Sequence, residues 1–455
     1  MKPLYKLFFF VGGWALSHQL NAQSQPAPPA QSFTLDQCID YAISHNPNLN
    51  SVTLSVKAAE KKVGETLATG LPQIGASADL GNNFIIPTSF LPAEVLGGKP
   101  GEYVGVKFGT QYVGRTSLNV DQMIFNGSYF VGLKASRTYT ELSRKDVISS
   151  KTDLVATIKK AYYSVLVSRE RLALVEKNYQ RLDSLLAQTK AMYNNGFAEK
   201  IDVSRVQVQF NNIITARNSN ATGLEVSMNL LKWQMGLPME SKIELTDNLE
   251  SIHLQALDED FAKNFNYSNR IEYSKLEVNR ELIKLDIKNT NSMYLPKLDF
   301  YGNYGASYGT ATFNNFIAFG ANWRSFGVYG IRANLPIFDG LRKSTQIQQK
   351  KIQLQQLDNT KEFTKNQIDM EQQQTTLTFN NNLQTLKYQK ENMLLAEEVY
   401  NVSVIKYQQG VGSNIEVINA DASYKEAQVN YYAALYDALI TSVDLEKAYG
   451  KVLAK

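Results

Sequence analysis

The spacing of apolar residues alternates between two periods along this chain. Ile158, Val165, Leu172, Tyr179, Leu186 and Tyr193 recur every seven residues, and Ala161, Ser168, Val175, Leu182 and Thr189 stand three places after them. That is an a/d seam with many small or polar members, as in helices packed closely side by side. Phe379, Leu386, Met393, Tyr400 and Tyr407 keep the same register in the second half. Two further stretches alternate steps of three and four: Val203, Val206, Phe210 and Ile213 in one, and Val417, Ala420, Tyr424, Ala427, Tyr431 and Ala434 in the other. Both read as return helices. No proline lies between Pro100 and Pro238, between Pro238 and Pro296, or after Pro336, so nothing there breaks a helix interior.

Between the helical stretches the period falls to two. In 111–125, Tyr112, Thr116, Leu118 and Val120 alternate with Arg115, Ser117, Asn119 and Asp121. In 296–308, Leu298, Phe300, Tyr304 and Ala306 alternate with Asp299, Asn303 and Ser307. Tyr329, Ile331, Ala333 and Leu335 alternate with Gly330, Arg332 and Asn334, and 73–84 carries a weaker set in Ile74, Ala76, Ala78 and Leu80. Apolar and polar sides alternating over about ten residues mark a strand of an outer-membrane β-barrel. A half-buried hairpin of a soluble protein has the same alternation. On the membrane reading, Arg115, Asn119, Asp121, Asp299, Asn303 and Arg332 are the barrel-lumen candidates.

The chain is written twice. Ile124-Phe125-Asn126-Gly127 recurs as Ile337-Phe338-Asp339-Gly340, offset by 213. Tyr193-x-x-Gly196 with Ile201-Asp202-Val203 recurs as Tyr407-x-x-Gly410 with Ile415-Glu416-Val417, offset by 214, and Gly236 meets Gly450 at that offset. Leu71-Pro72 matches Leu295-Pro296 at 224, so the first half holds about 11 extra residues between Pro72 and Ile124. The predicted organisation is a first unit over 34–238 and a second over 258–451, joined by a connector at 239–257. The first has a helix (34–69), a hairpin (73–125), a long helix (128–192) and a return helix (198–236). The second has a helix (258–294), a hairpin (296–338), a long helix (341–406) and a return helix (412–449). At about 1.5 Å per residue, a 65-residue helix is roughly 100 Å long. One long helix can therefore lie beside two half-length helices stacked end to end.

Composition adds an address and removes several functions. Lys2 and Lys6 precede a short apolar core at 7–16, and Leu20-Asn21-Ala22 ends on a small residue, which reads as a signal peptide over 1–22. A membrane anchor is the competing reading, but that core is too short for a bilayer of roughly 30 Å. The following 23–33 is polar and proline-rich, a flexible lead-in. Without Lys2 and Lys6 the formal charge drops from +4 to +2, and no basic run suggests nucleic acid. Cys38 is the one cysteine, which excludes an internal disulfide, and no lipobox precedes it. Of the three histidines His18 falls in the leader, while His45 and His253 have no metal-ligand spacing. No nucleophile, phosphate-loop or paired-carboxylate motif stands out, so no enzyme activity and no cofactor are expected.

The strand count implies company. Four strands per chain cannot close a barrel, and an unpaired strand edge in hydrocarbon costs several kcal/mol per backbone group. Two chains would give a narrow, filled barrel, whereas three give twelve strands and room for a channel.

Together these features resemble the TolC-like outer-membrane efflux family across essentially the whole mature chain. The two tip motifs and Leu237-Pro238 after Trp233-Gln234-Met235-Gly236 are the most specific. The resemblance implies a mixed α and β membrane protein: mostly long helices forming a periplasmic helical barrel, plus four membrane strands per chain in a shared twelve-strand trimeric barrel. It implies a homotrimer in the outer membrane of a Gram-negative bacterium, in contact with lipid and with a large periplasmic part. It also implies a periplasmic adaptor docked tip to tip and fed by an inner-membrane pump. Carried over onto this chain, the tips are Tyr193, Gly196, Phe197, Tyr407, Gly410 and Val411. A plain turn accounts equally well for the glycines. The periplasmic gate candidates are Glu416, Asn419 and Asp202. An acid lines the mouth in the family at the Glu416 position, but Asn419 stands where a second acid is common, and Glu416 also reads as a solvated helix residue. The expected function is a passive duct for small molecules. The alternatives are the outer-membrane duct of a type I protein-secretion system and a coiled-coil surface protein without a transport role.

Overall fold

A computed structural model of the chain describes residues 31–249, 265–313 and 323–453. The signal peptide expected at 1–22, most of the lead-in, most of the second half of the connector and the start of the 258–294 helix lie outside the described residues.

Two helices carry the architecture, α3 (Gly127–Asn194) and α6 (Arg342–Gln408), of 68 and 67 residues. Each is about 100 Å long at 1.5 Å per residue. α4 (Lys200–Met235) returns along the far half of α3, and α7 (Asn414–Ala448) returns along α6. The near half of α3 packs instead on α2 (Pro47–Ala68) and α5 (Ile271–Ser292), and α5 also packs on α6. Seam residues Ile158, Ala161, Val165, Leu182, Leu186 and Thr189 are buried, as are Phe379 and Tyr400.

The predicted helix over 34–69 is two helices, α1 (Leu35–His45) and α2. Pro47 forces Asn46 into an extended conformation and sits in the first turn, where a missing N–H costs nothing. The Asn46 side-chain oxygen accepts from the amides of Asn48 and Leu49 at 2.9 and 3.0 Å, which caps α2.

The last three residues of the lead-in are regular structure. Gln31–Phe33 forms β1, parallel to β6 (Ile243–Leu245) in the connector. Asp247 anchors this join, accepting from the Leu35 amide at 3.0 Å and the Tyr162 hydroxyl at 2.8 Å. Arg169 donates to the carbonyls of Leu245 and Asp247 at 2.8 and 2.7 Å. Around the join lies a core of Phe33, Cys38, Ala42, Ile158, Tyr162 and Leu231. Each large apolar side chain buried there contributes about 1.5–3 kcal/mol.

The strands β2 (Gln73–Asn82), β5 (Tyr112–Phe125), β7 (Lys297–Thr310) and β8 (Arg324–Asn334) form one antiparallel sheet in the order β2–β5–β7–β8. The predicted hairpin over 73–125 is more than a hairpin. The extra residues of the first half build a separate ribbon, β3 (Thr88–Pro92) against β4 (Tyr103–Lys107), beyond the far end of β2 and β5. β8 stops at Asn334, short of the predicted 338. Among the described residues no helix is long and apolar enough to cross a membrane.

Candidate functional site

Side chains alternate across a strand, so register assigns every residue of the sheet to a face. Asp79, Arg115, Ser307 and Arg324 lie in one row, Gly75, Asn119, Asn303 and Val328 in another, and Met123, Asp299 and Arg332 in a third. These rows and that of Asp121 share one face, so all six polar strand candidates stand together. The opposite face carries Ile74, Leu118, Val120, Phe300, Tyr304, Tyr329 and Ile331. Ile74, Tyr329 and Ile331 are 68%, 81% and 68% exposed. A single chain thus presents bare hydrocarbon on one side of the sheet and charge on the other.

The polar face is ordered by its own contacts. The Asn303 amide donates to Asn119, and Ser77 and Ser117 hydroxyls meet at 2.9 Å. Arg115 lies over the Phe326 ring at 4.7 Å and Arg332 over Tyr301 at 4.9 Å. Gly305 permits the first of these, because a Cβ there would stand 2.9 Å from the Phe326 ring.

At the other end of the molecule α3 and α6 terminate alike. Gly196 has φ +81° and Gly410 φ +73°, values that only glycine adopts at little cost. In each, the glycine amide bonds the carbonyl three residues back (Tyr193, Tyr407), and the next amide reaches one carbonyl further (Met192, Lys406). This 6→1 and 5→2 pairing satisfies the last carbonyls of the helix. Phe197 and Val411 follow, each 79% exposed.

The two tyrosines of the repeated motif part company. Tyr193 is 43% exposed, but Tyr407 is 8% exposed and packs in a core with Leu182, Leu186, Val206 and Val417. Tyr407 is therefore not on the tip surface as it was expected to be. Tyr407 shares that core with side chains of α3, α4 and α7, whereas Tyr193 lies outside it.

The gate candidates also separate. Glu416 and Asn419 are exposed on one face of α7, and the Glu416 carboxylate has no hydrogen bond or ion pair among the described residues. Asp202 is engaged: it accepts from the Glu199 amide at 3.3 Å, closing a capping box on α4, and from the Asn414 side-chain amide at 3.0 Å. The reading of the residues had not singled out Asn414, whose signal is slight: a polar residue in the first turn of a return helix.

A second group escaped the reading too. Asp421, 3% exposed, is bound by Lys425 at 2.6 Å and Arg181 at 3.4 Å. Arg181 also donates to Asn178 at 2.7 Å and lies against the rings of Tyr400 and Tyr424, 4.3 and 5.1 Å from their centres. Asn178 in turn donates to the buried Gln428 at 3.0 Å. An acid inside the apolar stripe Val417, Ala420, Tyr424 was the available clue. Among the described residues no group of three or more His, Cys, Asp or Glu side chains could hold a metal ion.

Known proteins share this arrangement. The family model for outer membrane efflux proteins matches residues 38–222 and again 268–451. The outer membrane protein TolC of Vibrio cholerae is 19% identical over 468 aligned residues, which take in 99% of this chain and 96% of that protein. The CmeC outer membrane channel of Campylobacter jejuni superposes with a TM-score of 0.71 at 15% identity, covering 98% of this chain and 94% of that one. The outer membrane protein VceC of Vibrio cholerae gives a TM-score of 0.68 at 15% identity, over 91% and 96% of the two chains. With a matching family model over both halves, a long-helix body and a sheet that is apolar on one face, the chain belongs to the TolC-like outer membrane efflux proteins and resides in the outer membrane of a Gram-negative bacterium, with a large periplasmic part.

Proposed function

We propose that this chain is one third of a passive trimeric duct for small molecules, whose four strands complete a twelve-strand barrel with those of two other copies. The observation that carries this reading is the four-stranded sheet whose outer edges, β2 and β8, have no partner strand among the described residues, with one face apolar and the other charged. Charged side chains near the bilayer midplane cost about 2–4 kcal/mol on the lipid side of such a barrel, so the charged face turns to the lumen. The two halves of the chain act as copies of one unit, which spreads the helices evenly around a periplasmic tunnel.

Solute would cross the tunnel and barrel through water, driven by an inner-membrane pump, with no bond made or broken by this chain. A periplasmic adaptor would dock on the tips at Gly196, Phe197, Gly410 and Val411, flanked by Tyr193. Phe197 and Val411 are large apolar side chains held in water by tightly capped turns, which suits them to a partner groove. Three copies of the unpaired Glu416 would ring the mouth.

The test is reconstitution. The detergent-purified protein should run as a trimer and open discrete aqueous pores in planar bilayers. It should also restore efflux to cells lacking their own duct when supplied with its adaptor and pump. A protein that stays monomeric and dissolves without detergent would end the duct reading and favour a surface coiled coil.

A further inference from the structure

We infer that the open edge of β8 pairs with the open edge of β2 in the next copy, in one specific register that sets Arg332 opposite Asp79 of that copy. The inference rests on the shared-barrel reading above and adds the residues that close it.

The register comes from the two hairpins of a single chain. In the first, Gln73 faces Asp121, Ala76 faces Leu118 and Asp79 faces Arg115. Shifting the first strand by 224 and the second by 213 lands on Lys297 facing Asn334, Phe300 facing Ile331 and Asn303 facing Val328. Those are the pairs observed in the second hairpin. The hairpins are thus equivalent residue for residue under offsets already visible in the sequence.

The chain also contains one junction between hairpins, β5 against β7, antiparallel, with Asn119 facing Asn303. Equivalent units in a closed ring repeat their junction. β8 is the counterpart of β5, and β2 of the next copy is the counterpart of β7. Moving Asn119 on by 213 gives Arg332, and moving Asn303 back by 224 gives Asp79. The same shift sets Ile331 opposite Leu80, Ala333 opposite Ala78, and Asn334 opposite Ser77.

Three observations on the chain agree with that register. Asp79 is the only acid in β2, and Arg332 faces it here and not two places to either side. Apolar residues meet on the lipid face and polar ones on the other. Within the chain the β5–β7 pairing runs on to Phe125, whose counterpart is Phe338. The run 335–338 lies just past β8, and its Leu335, Ile337 and Phe338 are 56%, 93% and 80% exposed. A continued pairing covers them. The Asn119–Asn303 hydrogen bond inside the chain is replaced between chains by an ion pair, with Asp299 flanking Arg332 on its other side.

Cysteine cross-linking reads the register directly. Within one chain, β2 and β8 are three strand steps apart, about 14 Å, too far for a disulfide. Between copies, directly opposed Cβ atoms are about 4.5–5.5 Å apart and diagonal ones about 7–8 Å. Double variants Ser77→Cys/Asn334→Cys and Ala78→Cys/Ala333→Cys, oxidised in outer membranes, should run as covalent dimers and trimers on denaturing, non-reducing gels. Gly75→Cys/Asn334→Cys and Asp79→Cys/Asn334→Cys should yield several-fold less. Trimers that cross-link only through the displaced pairs, or through none of the four, overturn the register while leaving the shared barrel intact. A chain that never assembles in the membrane overturns the shared barrel and the register with it.

Discussion

The Asn414 side chain donates to Asp202 across 3.0 Å, tying the first turn of α7 to the first turn of α4. One carboxylate therefore caps its own helix and holds the neighbouring turn, although Asp202 and Asn414 are 212 residues apart in sequence. Removing it frees an amide at Glu199 and leaves Asn414, which is 5% exposed, without its acceptor.

For that reason Asp202→Ala should loosen both turns by about 1–2 kcal/mol, the usual size of a lost cap or of a stranded buried donor. Hydrogen exchange should quicken in the first turns of α4 and α7 alike. Acceleration confined to α4 would mean the bridge to Asn414 contributes nothing.

The glycines that end the helices are not equivalent. At Gly196 an added Cβ meets open space, so Gly196→Ala should carry only the left-handed backbone penalty of about 1–2 kcal/mol. At Gly236 the Cβ would also stand 2.9 Å from the His45 carbonyl and 3.1 Å from Pro47, at φ +78°. Gly236→Ala should therefore lower the melting temperature of the purified protein clearly more than Gly196→Ala. Equal losses would show that the close approach is relieved at no expense.

Arg181 and Lys425 share the buried carboxylate of Asp421. Asp421→Ala leaves Arg181 half-enclosed by tyrosine rings without its acid, a loss of roughly 3 kcal/mol for a broken buried pair. Lys425→Ala leaves Asp421 its Arg181 partner, so no buried charge is stranded and the loss should be smaller, about 1–2 kcal/mol. Thermal melts of the two variants in detergent should rank in that order, and the reverse order would remove the cluster from the account of stability.

Burial first, and the negative charge of Asp247 second, push the Cys38 thiol from 9.0 up to about 12. Between these values the unfolded chain gives up the thiol proton and the folded chain keeps it, so this group's contribution to stability falls as pH rises from 9 to 12. At neutral pH the folded protein should resist maleimide, and denaturant should expose one reactive thiol per chain. Rapid labelling of the native protein would contradict the buried position.

On the proposed trimeric reading, Glu416→Gln removes three exposed carboxylates at once and should weaken block of single channels by trivalent cations added on the tip side by several-fold or more. Block of equal strength in variant and parent would place Glu416 away from the mouth.

Much of this arrangement is legible in the sequence because it is set by local rules. A seven-residue seam, its freedom from proline and the glycines that end it define helix lengths to within a few residues. Two-residue alternation assigns the sheet faces, since a strand has no other way to place successive side chains. The doubled motifs carry the offsets that relate one hairpin to the other. Tertiary structure decided what depends on neighbours distant in the chain. Gln31–Phe33 became a strand because β6 offered it a backbone edge, which no local pattern records. Tyr193 and Tyr407 occupy the same place in one motif, yet only Tyr407 is buried, because the core of α3, α4, α6 and α7 side chains closes over it and not over Tyr193. Asp421 is buried beside Arg181, 240 positions earlier, a pairing that no local pattern records. Periodicity reports which face of an element is apolar, whereas burial and ion pairing are properties of what the fold sets against that face.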